Sequence, residues 1–309
     1  NGWIPNSDIA NALTPVAPRT QRALFGFGDD GSPTSITNLV NSSGVVGSDV
    51  TGVGTARWHL GASGYGFDKA IFAYGKASTE LSISNLVNNS GVVAADVSGV
   101  GTARRGLGAA SYGGDKAVFA YGDPGSNTTT SLKNLVSNSG VVAADVTGVG
   151  TVRRFLAAAS YGSTGQAIMA YGRNDGSTAL SMSNLVNNVG VIASDVTGVG
   201  TARYYLAAAG YGGDKAVFAY GNTGSVTSLK NLANNLGVIA ADVTGVGTAR
   251  DLLAAASYGG DKAVFAYGYA GGVLSTKNLV NNAGVIGSDV SGVGTARNYV
   301  IAAGYSLSA

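Results

Sequence analysis

Apolar positions fall in short runs of about five or six residues, broken by glycine and asparagine, and the same runs return about every 47 residues. One copy shows the pattern. Leu107–Tyr112 is small and apolar, a Gly-Gly-Asp turn follows, and Lys116–Tyr121 is hydrophobic. After a loop of changing length come Ser131–Val136, a Ser-Asn-Ser-Gly turn and Val141–Val146. Brief β-type runs between turn residues predict strands, and no capped stripe of helical period interrupts them. The segments are called a, b, c and d in that order. Four strands in a repeat of this length predict one propeller blade.

The phase of the repeat carries further information. Segment b ends at Gly28, Gly75, Gly122, Gly172, Gly221 and Gly268. The chain enters the repeat on b, at Arg22–Gly28, and leaves on a, at Tyr299–Tyr305. The C-terminal strand therefore supplies what the N-terminal repeat lacks, which closes a ring and removes free sheet edges. An open solenoid needs no such exchange. The expectation is an all-β, six-bladed β-propeller of four-stranded blades over residues 21–309, preceded by an N-terminal arm, 1–20. Alanine and glycine in segment a suit an innermost strand crowded at an axis. Apolar residues on both faces of segment b suit a sheet packed between two neighbours.

Composition narrows the picture. Apolar residues make up 45% of the 309, so a large core is available, while charged residues are only 12%, about half the usual share. The net charge is +2 and no Lys/Arg run occurs, which argues against nucleic acid as a partner. No apolar run is long enough for membrane insertion through a helix. Absence of cysteine removes disulfide, thiolate and zinc-thiolate chemistry. No secretory signal is visible, and a start at Asn1 rather than Met points to processing or trimming.

The phrase from Thr102-Ala-Arg104 through Ala109-Ala110 to Lys116-Ala-Val-Phe-Ala-Tyr-Gly122 resembles the kelch repeat. That family places an arginine before a small-residue inner strand, then a hydrophobic strand ending in Gly-Gly. Here Tyr-Gly or Phe-Gly replaces Gly-Gly, and no tryptophan marks segment d. The resemblance spans about residues 20–309 in period and implies a propeller that serves as an interaction platform. The phrases Asn-Leu-Val-Asn-Asn and Asp-Val-Thr-Gly-Val-Gly-Thr-Ala-Arg also resemble repeat proteins of bacteriophage virions.

Residues present in every copy read as scaffold. Asp49, Asp96, Asp145, Asp195, Asp242 and Asp289 each stand eight residues before an arginine: Arg57, Arg104, Arg153, Arg203, Arg250 and Arg297. An Asp–Arg bridge pinning each d-to-a crossing is expected, rather than a functional charge array. The six asparagines from Asn38 to Asn278 are expected to satisfy backbone groups. The Asp-Lys pairs at 68–69, 115–116, 214–215 and 261–262 are assigned to solvated a–b turns.

Variation concentrates elsewhere. The b–c loops differ, and so do the two positions after each repeated arginine: Trp58-His59, Arg105-Gly106, Arg154-Phe155, Tyr204-Tyr205, Asp251-Leu252 and Asn298-Tyr299. Strands alternate in direction within a blade, so both variable regions belong at one end of the ring. The candidate ligand-binding residues are Trp58, His59, Arg105, Arg154, Phe155, Tyr204, Tyr205, Asp251 and Tyr299, because aromatic and arginine side chains anchor recognition surfaces. The opposing reading is that the aromatics merely fill space between blades.

Catalytic chemistry is thin. His59 is the sole histidine, Glu80 the sole glutamate, and no serine is marked as a nucleophile. Most carboxylates recur from copy to copy, unlike the single pair of a glycosidase. Asn174-Asp-Gly-Ser-Thr178 echoes the Asp-box turn of six-bladed sialidases, without its flanking pattern. Oxygen pairs at Asp29/Asp30 or Asn174/Asp175 are common in loops and do not define a Ca²⁺ site. No catalytic residue, metal or cofactor is expected. The expected function is recognition of a carbohydrate or protein surface from an extracellular or virion-surface position. The alternatives are a structural decoration or spacer, docked through Trp3, Ile4, Ile9 and Leu13, and a sialidase-like hydrolase.

Overall fold

The computed structural model describes residues 21–306. The arm containing Trp3, Ile4, Ile9 and Leu13 lies outside the described residues. Within them the chain is all-β, with no helix. The first strands are β1 (Arg22–Asp29), β2 (Pro33–Val40), β3 (Gly61–Tyr65), β4 (Lys69–Ala73), β5 (Ser84–Val87) and β6 (Gly108–Tyr112). Next come β7 (Lys116–Ala120), β8 (Lys133–Val136), β9 (Ala157–Tyr161), β10 (Gln166–Ala170), β11 (Ser183–Val186) and β12 (Ala207–Tyr211). The last are β13 (Lys215–Ala219), β14 (Lys230–Ala233), β15 (Ala254–Tyr258), β16 (Lys262–Tyr269), β17 (Val273–Val280) and β18 (Ile301–Tyr305).

They form six three-stranded antiparallel sheets in a propeller-like arrangement. Each sheet runs a, b, c from one edge, as in β3-β4-β5. The exception in sequence is β18-β1-β2, where Arg22 pairs with Tyr305 and Gly26 with Ile301, so the two ends of the chain share a sheet.

The fourth strand of the sequence reading is corrected. Segment d touches c only at isolated bridges, Val40 with Val46 and Thr37 with Val50 in the first sheet. The repeated asparagine is the reason. Asn38 is fully buried on β2, and its side-chain amide donates to the Gly47 carbonyl at 3.1 Å and to Asp49 Oδ1 at 2.9 Å. A side chain thus occupies the Gly47 carbonyl, a backbone acceptor that a continuous ladder could use.

The core lies between sheets. Alternate residues of β16 enter different clusters: Val264 and Ala266 pack with Phe25 and Val40 on one side, Ala263 and Phe265 with Val217 and Ala219 on the other. Period-two alternation with both faces apolar requires this sandwiching. Burying each such phenylalanine contributes up to about 3 kcal/mol.

A series of hydrogen bonds links successive sheets and returns to the start. At the a–b turns, Gly66 N donates to Asp115 O, Gly113 N to Gly165 O, Gly162 N to Asp214 O and Gly212 N to Asp261 O. Gly259 N then donates to Gln21 O, and Ser306 N to Asp68 O. The first strands likewise touch in the order β3, β6, β9, β12, β15, β18, and β18 touches β3.

The repeated arginines and aspartates work differently from their spacing. Arg57 does not pair with Asp49. Its Nη1 lies 3.9 Å from Asp96, on the segment d that follows its own sheet, and its guanidinium donates to Tyr74 O, Thr55 O and Asn85 Oδ1. Asp96 accepts from the Thr55 hydroxyl at 2.7 Å and from the Thr55 amide at 3.0 Å. The aspartate therefore clasps the connection entering its own sheet, 41 positions back, not the one leaving it. Each arginine also lies over the aromatic ring that ends the preceding sheet's b strand: Arg57 over Phe27 at 4.5 Å, Arg153 over Tyr121 at 4.2 Å. A planar cation given several acceptors and stacked on a ring suits full burial, where a lysine does not.

Candidate functional site

The two positions after each arginine lie at the end of the assembly opposite the a–b turns. The first of them pairs with the start of a b–c loop in every copy: Trp58 with Lys76, Arg105 with Asp123, Arg154 with Arg173, Tyr204 with Asn222, Asp251 with Tyr269 and Asn298 with Asp29. The structure thus brings the two variable regions together.

The second position turns toward the centre. His59, Gly106, Phe155, Tyr205, Leu252 and Tyr299 all have φ between 52° and 64°. This left-handed backbone is uncommon outside glycine, and six in register mark a built feature. Backbone bonds run between them, from Gly106 N to His59 O, Phe155 N to Gly106 O, Tyr205 N to Phe155 O and Leu252 N to Tyr205 O. At Gly106 an added Cβ would come within 2.6 Å of the Phe155 ring, so the glycine makes room for its neighbour. His59 then sits 4.2 Å from Tyr299, 4.7 Å from Phe155 and 5.9 Å from Tyr205, measured between ring centroids. These rings form an aromatic floor. Trp58 stands at its margin, 4.8 Å from Tyr299, and Tyr204 lies 4.9 Å from Tyr205.

Charge is divided across this floor. On one side Asp123, fully buried, takes Arg105 at 3.1 Å and, more closely, Arg154, which is 2% exposed. Glu80 takes Lys76 at 3.3 Å and Arg105 at 3.6 Å. Arg173 has no carboxylate partner among the described residues, and its guanidinium lies 4.9 Å over Tyr204, 5.2 Å over Phe155 and 5.7 Å over Tyr205. On the other side Asp251 is buried, with Oδ2 accepting from Asn222 Nδ2 at 2.8 Å.

The electrostatic consequences are specific. Burial pushes the His59 pKa down to about 3, reinforced by Arg105, Arg154, Arg173 and Lys76, so the imidazole is neutral at physiological pH. Burial pushes the Tyr205 hydroxyl up to about 12 and the Asp251 carboxyl above its ordinary value. Burial alone would raise Asp123 too, but the Gly125 amide, Arg154 and Arg105 outweigh it and hold the carboxyl low.

Several polar atoms in this region lack partners and are closed off from water: Trp58 Nε1, Arg154 Nε and Arg173 Nε on the cationic side, Asp251 Oδ1 and Asn298 Oδ1 on the other. Orphaned buried polar groups are costly and call for an explanation.

All nine candidate residues of the sequence reading therefore meet at one end. Sequence reasoning passed over Asp123, which ties two of them together, and Arg173, which lies over three more. Both open b–c loops, directly after Gly122 and Gly172, and that shared offset was a usable signal. It also passed over Phe67, at the opposite end. Where other copies have glycine in the a–b turn, Phe67 adopts φ 68° and is 48% exposed. It stands at the mouth of a cavity of about 530 Å³ lined by small residues such as Ala62, Ala109, Ser111 and Ser160. Asn174 and Asp175 of the Asp-box-like run are committed within the loops, Asn174 Oδ1 to the Thr178 amide and Asp175 Oδ1 to the Thr129 amide.

The chain matches no model of a known protein family and no curated protein.

Proposed function

We propose that the chain is a kelch-like, six-bladed β-propeller that recognises surface glycan through its variable end and catalyses no reaction, acting from an extracellular or virion-surface position. The blade count rests on the return of inter-sheet contacts from β18 to β3. The observation that carries the function is the concentration of unpartnered buried polar atoms around an aromatic floor, at the end where the repeats differ most. Sugars present apolar C–H faces to rings and hydroxyls to polar atoms, so such a floor suits them. A neutral histidine whose ring faces other rings, beside Asp123 and Glu80, which are tied up in ion pairs, favours binding over acid–base chemistry.

A glycan array probed with the wild-type chain and with Trp58→Ala/Tyr204→Ala tests the reading. Specific binding lost in the folded variant supports it. Binding retained moves the site to the repeated residues, and no binding removes the glycan reading.

One observation favours a structural role as the second reading. Each c–d turn exposes a valine, Val45, Val92, Val141, Val191, Val238 and Val285, between 54% and 65% accessible. A second set on segment d, from Val50 to Val290, is 43–48% accessible. Repeated apolar groups at outer edges suit contact with other subunits of an assembly. Loss of assembly on Val141→Ser/Val191→Ser, with glycan binding absent, is the outcome expected of that role.

A further inference from the structure

Resting on glycan recognition at the variable end, we propose that the ligand is an acidic glycan, with its anionic group on the Lys76–Arg105–Arg154–Arg173 side and its hydroxyl or amide donors on the Asp251–Asn298 side. The two arcs differ in kind. Three orphaned atoms on the first arc, Trp58 Nε1, Arg154 Nε and Arg173 Nε, can only donate, and the fourth, the Thr129 hydroxyl, can donate or accept. Both on the second are acceptors, Asp251 Oδ1 and Asn298 Oδ1. A neutral sugar offers the same hydroxyls to both sides and gains nothing from the division. A sugar with a carboxylate or sulfate at one end matches acceptor to donor across the floor.

The charges form a contiguous arc. Arg105 and Arg154 share Asp123, Lys76 and Arg105 share Glu80, and Arg154 and Arg173 both flank the Phe155 ring. Four cations thus meet two carboxylates within the arc, and Arg173 is the one without an ion-pair partner among the described residues. An anion placed there gains a charge-assisted bond with little rearrangement of the pairs already made. Arg154 and Asp251 are nearly closed to solvent, so the ligand reaches them from above, where Arg173, Arg105 and Trp58 remain partly accessible. The rings of His59, Phe155, Tyr205 and Tyr299 lie between the arcs and receive the sugar's apolar face.

The test is titration of the full chain with 3′-sialyllactose, sulfated lactose and unmodified lactose, in the wild type and in Arg173→Gln. That change leaves the Asp123 and Glu80 ion pairs intact, and a thermal melt checks that the variant folds. The expected result is that one acidic sugar binds at least tenfold more tightly than lactose, and that Arg173→Gln weakens the acidic sugar about tenfold or more and lactose by much less, so that the preference for the acidic sugar collapses. Binding is also expected to weaken as salt is raised. Selectivity for the sialoside or for the sulfated sugar identifies the anionic group. Equal affinity for lactose and both acidic sugars, or an unaltered Arg173→Gln titration, overturns the acidic ligand while glycan recognition stands. Failure of all three sugars, and of a glycan array, removes both.

Discussion

Asp49 and Thr295 lie at opposite ends of the chain, yet Asp49 accepts hydrogen bonds from the Thr295 amide at 3.0 Å and from its hydroxyl at 2.6 Å. The same clasp is made within the chain elsewhere, as between Asp145 and Thr102. Only the first version also holds the C-terminal strand against the N-terminal sheet. Asp49→Ala and Asp145→Ala are expected to lose similar contact energy, about 1–2 kcal/mol in these partly exposed settings. Asp49→Ala alone is expected to speed hydrogen exchange of the β18 amides beyond the global change, because it loosens the terminal sheet. Equal exchange in the two variants would show that strand pairing suffices for closure.

The clasp has a pH signature. Burial pushes the Asp49 carboxyl up, but Thr295, Asn38 and Arg297 outweigh it and hold it below the ordinary value. The same balance holds at Asp96 and Asp145. A depressed carboxylate stabilises above its unfolded pKa and loses that contribution as pH falls through the folded value. These residues are expected to add no pH dependence above about pH 5 and to add acid sensitivity below about pH 4. Chemical denaturation of Asp145→Ala and wild type across pH 3–7 should show their difference shrinking at the acid end.

Phe27 marks a missing bond. At the equivalent position Tyr74, Tyr121, Tyr171, Tyr220 and Tyr267 each donate a hydroxyl hydrogen bond to a valine carbonyl, Tyr74 to Val100 O and Tyr121 to Val149 O. By register the partner of residue 27 is Val53. Phe27→Tyr is therefore expected to stabilise the chain by about 1 kcal/mol, and Tyr121→Phe to destabilise it by a similar amount. The urea midpoint reads both, and a fall on Phe27→Tyr would mean that the first sheet packs differently at its edge.

The strands and their phase were legible because period-two runs and glycine punctuation are local properties. Pairing of β18 with β1 followed from counting which segment opens and closes the chain. The fourth strand was over-read because composition cannot show that Asn38 spends its amide on Gly47 O. The Asp–Arg partnership was misplaced because eight residues looks like proximity, while the real partner of Arg57 is Asp96, on the segment d that follows Arg57's own sheet. The cap that the aromatic floor forms over the variable end was half legible. That Phe155 and Tyr205 point inward depends on left-handed backbone, which only Gly106, standing in the same register, advertises in sequence. The buried hub at Asp123 shows in sequence only through its offset, directly after Gly122.

Glycine in the Thr-Gly-Val-Gly phrase is a packing requirement. A Cβ at Gly148 would overlap the Ser131 carbonyl, and the equivalent carbon at Gly245 would overlap that of Ser228. Backbone cannot yield as a flexible side chain does. Gly148→Ala is expected to cost about 3 kcal/mol or more, well beyond the conformational entropy regained. A melting temperature within a degree or two of wild type would mean that the d-to-a connection shifts freely.

His59 gives the protein a distinct sensitivity to mild acid. Its pKa is about 3 in the folded chain, against an ordinary value of 6.5. The unfolded chain therefore takes up a proton in the interval that the folded chain refuses. The stability this contributes is complete above pH 6.5 and drains away as pH falls toward 3. Between pH 6.5 and 5 the loss is at most about 2 kcal/mol, since the ring is partly open to solvent at its edge. The chain has no other histidine, so the change in this window is assignable. His59→Asn removes the titration and tolerates the left-handed backbone at φ 55°. The variant is expected to be less stable at pH 7, from loss of ring contacts, but nearly level from pH 7 to 5 while the wild type declines. Parallel declines would place the proton elsewhere, and would mean that the cap admits water to His59.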